Sequence, residues 1–115
     1  MSELPEITDE EMDTMIPMAR HYSVVILREG PEYGSPEAKP IIWEHGRRNF
    51  ALRAAGALAV VMPVEDATDV CGVGIFDRSV EETTALMSDD PGVQAGVFTF
   101  DVHPARGFPG DSLPT

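Results

Sequence analysis

The amino-acid sequence predicts an α+β domain with the element order β-α-β-β-α-β, preceded by one short helix. Three observations carry that prediction. Four apolar, β-branched runs lie near residues 21–28, 57–63, 71–77 and 96–103. Two helix-patterned stretches separate the first run from the second and the third from the fourth. Glycine, proline and capping residues fall between these segments rather than inside them.

The elements follow in order along the chain. Thr8 and Glu11 have capping-box spacing ahead of Met12, Met15 and Ile16, which predicts a short helix from Thr8 to Ile16 that Pro17 ends. His21 to Arg28 is nearly continuous in apolar residues, the pattern of a strand buried on both faces. Residues 29–40 hold three prolines and two glycines and read as a loop. Pro40 suits a helix's first turn, and the stretch from Pro40 to Ala55 reads as helix with Gly56 as its stop. At 100° per residue, Ile41, Ile42, His45, Asn49 and Leu52 share one face of it. Trp43, Phe50 and Ala54 share another, so the pattern predicts a helix buried on two sides.

Ala57 to Pro63 and Cys71 to Asp77 read as the second and third strands. Gly72 and Gly74 fall on one face of the third, which leaves that face open to a close approach by a backbone or a ligand. Ser79 and Glu82 form a second capping box that opens a helix to about Met87. Asp89-Asp90-Pro91-Gly92 stops it, and residues 96–103 form the last strand. The chain thus divides into an N-terminal helical extension (1–20), a core domain (21–104) and an irregular Pro/Gly-rich tail (105–115).

Composition narrows the function. A chain of 115 residues is one domain, and 43% hydrophobic content supplies a core without staples. The single cysteine, Cys71, forms no internal disulfide and suits a cytoplasmic location. The acidic N-terminus is not a signal peptide, and no apolar run is long enough for a membrane span. A net charge of −12 with only 8 Lys and Arg argues against nucleic-acid binding. Residues 3–13 carry six acidic groups and no basic one, which reads as a solvated face. No phosphate-binding loop, dinucleotide fingerprint or nucleophile elbow is present, and the three histidines lack metal-ligand spacing. Neither a metal nor a cofactor is expected.

The predicted order is the split βαβ arrangement of ferredoxin-like domains, a four-stranded antiparallel sheet with its helices on one face. The other face is also apolar in sequence, and a second copy of the chain is its simplest cover. The informative pair is His45 and Asp90. His45 projects from an apolar helix face, where a polar group needs a partner. Asp90 follows a helix C-terminus, whose partial negative charge disfavours a carboxylate, and Pro91 biases it toward an extended conformation. A His–Asp pair holds one imidazole tautomer and suits it for proton transfer. The competing readings are structural: a hydrogen-bonded core histidine, turn chemistry for Asp-Asp-Pro-Gly, core packing for Trp43 and Phe50, ion pairs or solvent for Arg47 and Arg48, and an inert strand thiol for Cys71.

The segment His45-Gly-Arg-Arg-Asn-Phe-Ala-Leu-Arg-Ala-Ala-Gly56, followed by Asp90-Pro91, Ala95-Gly96-Val97-Phe98 and Val102-x-Pro104, resembles the YCII-related family of the dimeric α/β-barrel group in order and spacing. The resemblance covers residues 21–104. It implies a ferredoxin-like fold whose sheets pair face to face in a homodimer, and a pocket between helices and sheet holding His45 and Asp90. It further implies cofactor-free acid/base chemistry on a small cyclic or aromatic compound. The family includes a dehydrochlorinase of a chlorinated hydroxyquinol, and muconolactone isomerase is similar in fold and proposed chemistry. Members often carry Arg-Pro or Arg-x-x-His near the start of the first helix, where this chain has Pro40-Ile41-Ile42-Trp43-Glu44. Arg28, Tyr33 and Asn49 are therefore the expected substrate contacts beside the catalytic candidates His45 and Asp90. A non-catalytic dimer that binds a small ligand in the same pocket is the alternative expectation.

Overall fold

The computed structural model describes residues 3–115. Helix α1 (Asp9–Met15) runs into a 3-10 turn (Ile16–Met18), and then follow β1 (Arg20–Glu29), α2 (Ala38–Ala54), β2 (Leu58–Pro63) and β3 (Val70–Phe76). Helices α3 (Val80–Ser88) and α4 (Pro91–Gln94) and strand β4 (Phe98–Gly107) complete the chain. The strands form one antiparallel sheet in the order β2-β3-β1-β4. That order is the ferredoxin-like arrangement expected from the sequence.

Local chemistry sets the boundaries. The Thr8 hydroxyl accepts from the Glu11 N–H at 3.1 Å and caps α1. Ser79 and Glu82 close a reciprocal capping box at the start of α3. At the end of α2, Gly56 adopts φ +80°, and the Gly56 and Ala57 N–H groups return to the Arg53 and Leu52 carbonyls. A side chain disfavours that left-handed backbone, which is why glycine stands there.

Three boundaries differ from expectation. Helix α2 starts at Ala38, so Pro40 lies two residues inside it. The first turn's N–H groups have no intrahelical acceptor, so a proline there costs no hydrogen bond. Strand β4 continues through Pro104 to Gly107, so Ala105, Arg106 and Gly107 are strand rather than irregular tail. β4 is an edge strand, where a residue lacking an N–H is tolerated. The third difference, the additional helix α4, reshapes the site and is taken up below.

Alternation along β1 and β3 buries Val25, Leu27 and Phe76 on the helix side, with Gly72 and Gly74 between them. These residues join Leu58, Met87, Val97 and Phe98 in one core. Val24, Ile26, Val73 and Ile75 alternate to the opposite face and are half-buried. Trp43 and Phe50 do not enter the core: both are exposed on the surface of α2. The expected second buried side of that helix is absent because the sheet meets it from one direction only.

Candidate functional site

The site lies between α2 and the sheet and is built from helix spacing. Ile42, His45 and Asn49 recur at three- and four-residue intervals, so all three line the cavity under α2. Leu27, Val25 and Phe76 form its floor with Gly72 and Gly74. The two glycines lie opposite Leu27 and Val25 and keep the floor low, in line with the open face expected from their spacing. The cavity has a volume of about 410 Å³ and a mainly apolar lining that includes Tyr33, Phe98 and Met62.

His45 and Asp90 are in direct contact. The imidazole Nδ1 sits 2.9 Å from Oδ1 and 2.8 Å from Oδ2 of Asp90. Both residues are buried, with 8% of His45 and 0% of Asp90 exposed. An ionised carboxylate only accepts, so Nδ1 carries the proton and donates it, which leaves a lone pair on Nε2. The Asn49 amide, 3.2 Å from Nε2, then serves as donor to it. The imidazole also packs against the Phe98 ring at a centroid separation of 4.7 Å.

The surroundings of Asp90 correct the sequence expectation. The chain after Asp90 does not merely end α3: Pro91–Gln94 forms α4, with Asp90 as its N-cap. Its backbone is extended (φ −68°, ψ 133°), as the following proline favours. Oδ2 accepts from the Gly92 N–H at 2.9 Å and the Val93 N–H at 3.3 Å. The carboxylate therefore meets the electropositive end of a helical turn instead of the negative end of α3. Gly92 is required for this fit, because a Cβ there would stand 2.5 Å from Phe98 Cδ2 and 3.0 Å from Asp90 Oδ2.

Arg48, expected in solvent or an ion pair, is a neighbour of Asp90. Its Nη1 lies 3.9 Å from Asp90 Oδ1, near enough for attraction but too far for a hydrogen bond. That nitrogen is buried and has no hydrogen-bond partner among the described residues. Its position three residues after His45 was the available signal, since that spacing returns it to the same side of α2. Arg47, by contrast, pairs with Glu44 at 2.9 Å on the surface.

Tyr33 and Asn49 line the cavity with His45, but Arg28 does not. Arg28 is held by Asp69 at 3.2 Å and Asp101 at 3.3 Å. It alternates out of phase with Val25 and Leu27 and so leaves the sheet on the opposite side, which removes it from the candidate substrate contacts. Arg53 and Cys71 join the lining instead. Cys71 reaches it through a slip in register: Leu27 pairs with Gly72 and Arg28 with Val70, so Cys71 is the extra residue between them. Burial first, then the Glu29 charge, pushes the Cys71 thiol above its ordinary range. Cys71, partial burial and Glu29 in turn raise the Tyr33 hydroxyl. Among the described residues, no group of three or more metal-ligating side chains comes together. No helix among them is long and apolar enough to cross a membrane.

No family model matches the sequence, and no curated protein matches it. Among solved structures, the chain is similar to 5-chloro-2-hydroxyhydroquinone dehydrochlorinase from Burkholderia phenoliruptrix AC1100 in complex with 2,5-dihydroxybenzoquinone. The two share 18% sequence identity over 70% of this chain and 90% of that one, with a TM-score of 0.49.

Proposed function

We propose that this chain is a small cofactor-independent enzyme of lyase or isomerase type that acts on a small cyclic or aromatic compound. The observation that carries the reading is the buried His45–Asp90 contact opening onto an apolar cavity. The sequence resemblance to the YCII-related family points the same way. In this reading the Nε2 lone pair of His45 takes a proton from an acidic C–H of the bound compound. The C–H electron pair forms a new double bond, either expelling a leaving group from the adjacent carbon or shifting an existing double bond. Asp90 stabilises the imidazolium so formed, and Arg48 balances the carboxylate's charge. For an isomerase, Nε2–H returns the proton to a second carbon. For a lyase, water takes it. The apolar walls select a flat, weakly polar ligand, and Tyr33 and Asn49 supply its hydrogen bonds.

The working molecule in this reading is a homodimer. The half-buried face of Val24, Ile26, Val73 and Ile75 is the surface that a second sheet would cover. Turnover of cyclic compounds with an acidic C–H beside a leaving group or double bond tests the proposal. His45→Ala is expected to abolish turnover while leaving the fold intact, and equal turnover by that variant would sink it.

One observation favours a second reading, a non-catalytic binding module. Both ring nitrogens of His45 are engaged, Nε2 by Asn49. A catalytic His45 requires Asn49 to release Nε2 when the compound enters. Binding of a small cyclic compound that is recovered without chemical change would support the module instead.

A further inference from the structure

We infer that the acidic N-terminal arm of one molecule docks on the outer face of α2 in a second copy. The inference stands whether or not the cavity is catalytic. It begins with an arm that lacks a resting place. Among the described residues, the element that α1 packs against appreciably is the turn that follows it. Leu4, Ile7, Met12, Met15, Ile16 and Met18 are all exposed. The molecule measures 55 × 35 × 23 Å with a radius of gyration of 16.9 Å, against roughly 13 Å for a compact chain near this length. A seven-residue helix is marginal in water on its own, whatever its cap. Packing of its Met and Ile side chains has to come from another surface.

The chain displays a surface of matching chemistry. Trp43, Arg47, Phe50 and Ala54 recur at helical spacing along the outside of α2. Trp43 is 72% exposed and Phe50 63%. The Arg53 guanidinium lies 5.4 Å above the Phe50 ring and holds it on the surface. In a chain of net charge −12, the exposed surface of α2 carries Lys39, Arg47 and Arg53 against a single acid, Glu44, which pairs with Arg47, while Arg48 turns inward to Asp90. The arm is the inverse: six acids and no base over residues 3–13, alternating with apolar residues. Apolar side chains meet exposed rings, and carboxylates meet guanidinium groups. Methionine adapts to such a surface better than a branched side chain. Among the described residues the arm makes no appreciable contact with its own α2, so a second copy is the occupant. Phe50 and Arg53 also line the cavity, so a docked arm lies beside its mouth.

Trp43 is the chain's one tryptophan and lies on the proposed docking face, so its quenching by acrylamide reports occupancy in the full-length protein. Wild-type protein is expected to shield Trp43 at high concentration and expose it several-fold more on dilution. Met15→Glu combined with Ile16→Glu alters one side of the contact, and Arg47→Glu alters the other. Neither change touches the core, and each is expected to leave Trp43 fully quenchable at every concentration. Shielding that survives the arm substitutions would overturn the inference, because another surface then covers Trp43. Shielding that ignores dilution would overturn it too, because the arm then folds onto its own helix. Trp43 as quenchable in concentrated wild type as in the variants would mean that no docking occurs.

Discussion

Removing the Asp90 carboxylate should be among the most damaging single changes in this molecule, and the structure supplies the magnitude. Asp90 is fully buried and performs two separable tasks. It caps α4 through the Gly92 and Val93 N–H groups, and it accepts the Nδ1–H of His45. Asp90→Ala loses the cap, worth about 1 kcal/mol. It also strands a buried imidazole N–H, which costs about 1–3 kcal/mol more. The sum, about 2–4 kcal/mol, is a large share of the roughly 5–15 kcal/mol that holds a domain together. At roughly 4 °C per kcal/mol for a chain of this size, the melting temperature should fall by about 8–16 °C. Asp90→Asn separates the tasks. Its amide oxygen can still cap α4, but its NH₂ then faces Nδ1. The imidazole proton must move to Nε2, and the Asn49 amide must turn its oxygen toward it. Thermal denaturation followed by circular dichroism reads the first effect, and long-range ¹H–¹⁵N correlation of the His45 ring reads the tautomer. A loss below about 0.5 kcal/mol for Asp90→Ala, the range of an ordinary surface change, would refute the reasoning. So would an Asp90→Asn protein whose His45 keeps its proton on Nδ1.

Other consequences follow from individual contacts. The Thr83 hydroxyl is buried without a hydrogen-bond partner among the described residues. Thr83→Val should therefore raise stability by up to about 1 kcal/mol in urea denaturation, and a loss of that size would contradict the account. Gly92→Ala should cost about 1–3 kcal/mol by driving a Cβ into the Phe98 ring and Asp90, and an unchanged melting temperature would show that the fit is looser than described. The Cys71 thiol is held above its usual range first by burial and then by the Glu29 charge. A raised thiol stays protonated to higher pH, so iodoacetamide should react with Cys71 more slowly than with a free thiol near pH 8, with a midpoint displaced upward. Glu29→Gln should bring that midpoint down, and an unshifted wild-type midpoint would contradict the assignment.

The path from sequence to structure succeeded where local chemistry decides and failed where the third dimension does. The two capping residues Thr8 and Ser79, the Gly56 stop and the apolar run of β1 are local signals, and each element formed where they place it, although β1 is fully buried on one face only and not on both as its continuous apolar pattern predicts. The shared helical face of Ile41, Ile42, His45, Asn49 and Leu52 likewise turned toward the core. Helix α4 escaped because one turn is too short to show periodicity, and Asp-Pro-Gly reads equally well as a turn. That omission reversed the electrostatic setting of Asp90, from the negative end of α3 to the positive end of α4. Trp43 and Phe50 misled because helical spacing marks a stripe without saying whether anything covers it. Arg28 misled for a related reason: the end of a strand lies near a pocket only if the side chain alternates toward it. The register slip that brings Cys71 to the cavity has no sequence signature at all.

The central claim is that His45, held by Asp90, moves a proton at the carbon of a bound compound. Transfer of solvent deuterium into a small cyclic compound that binds the cavity, compared between wild type and His45→Ala, tests it most directly. Exchange at one carbon is expected in the wild type and should fall by about 10²–10⁴-fold in the variant, with binding and fold retained. Exchange at the same rate in both proteins, or a wild type that binds the compound and exchanges no proton, would contradict it.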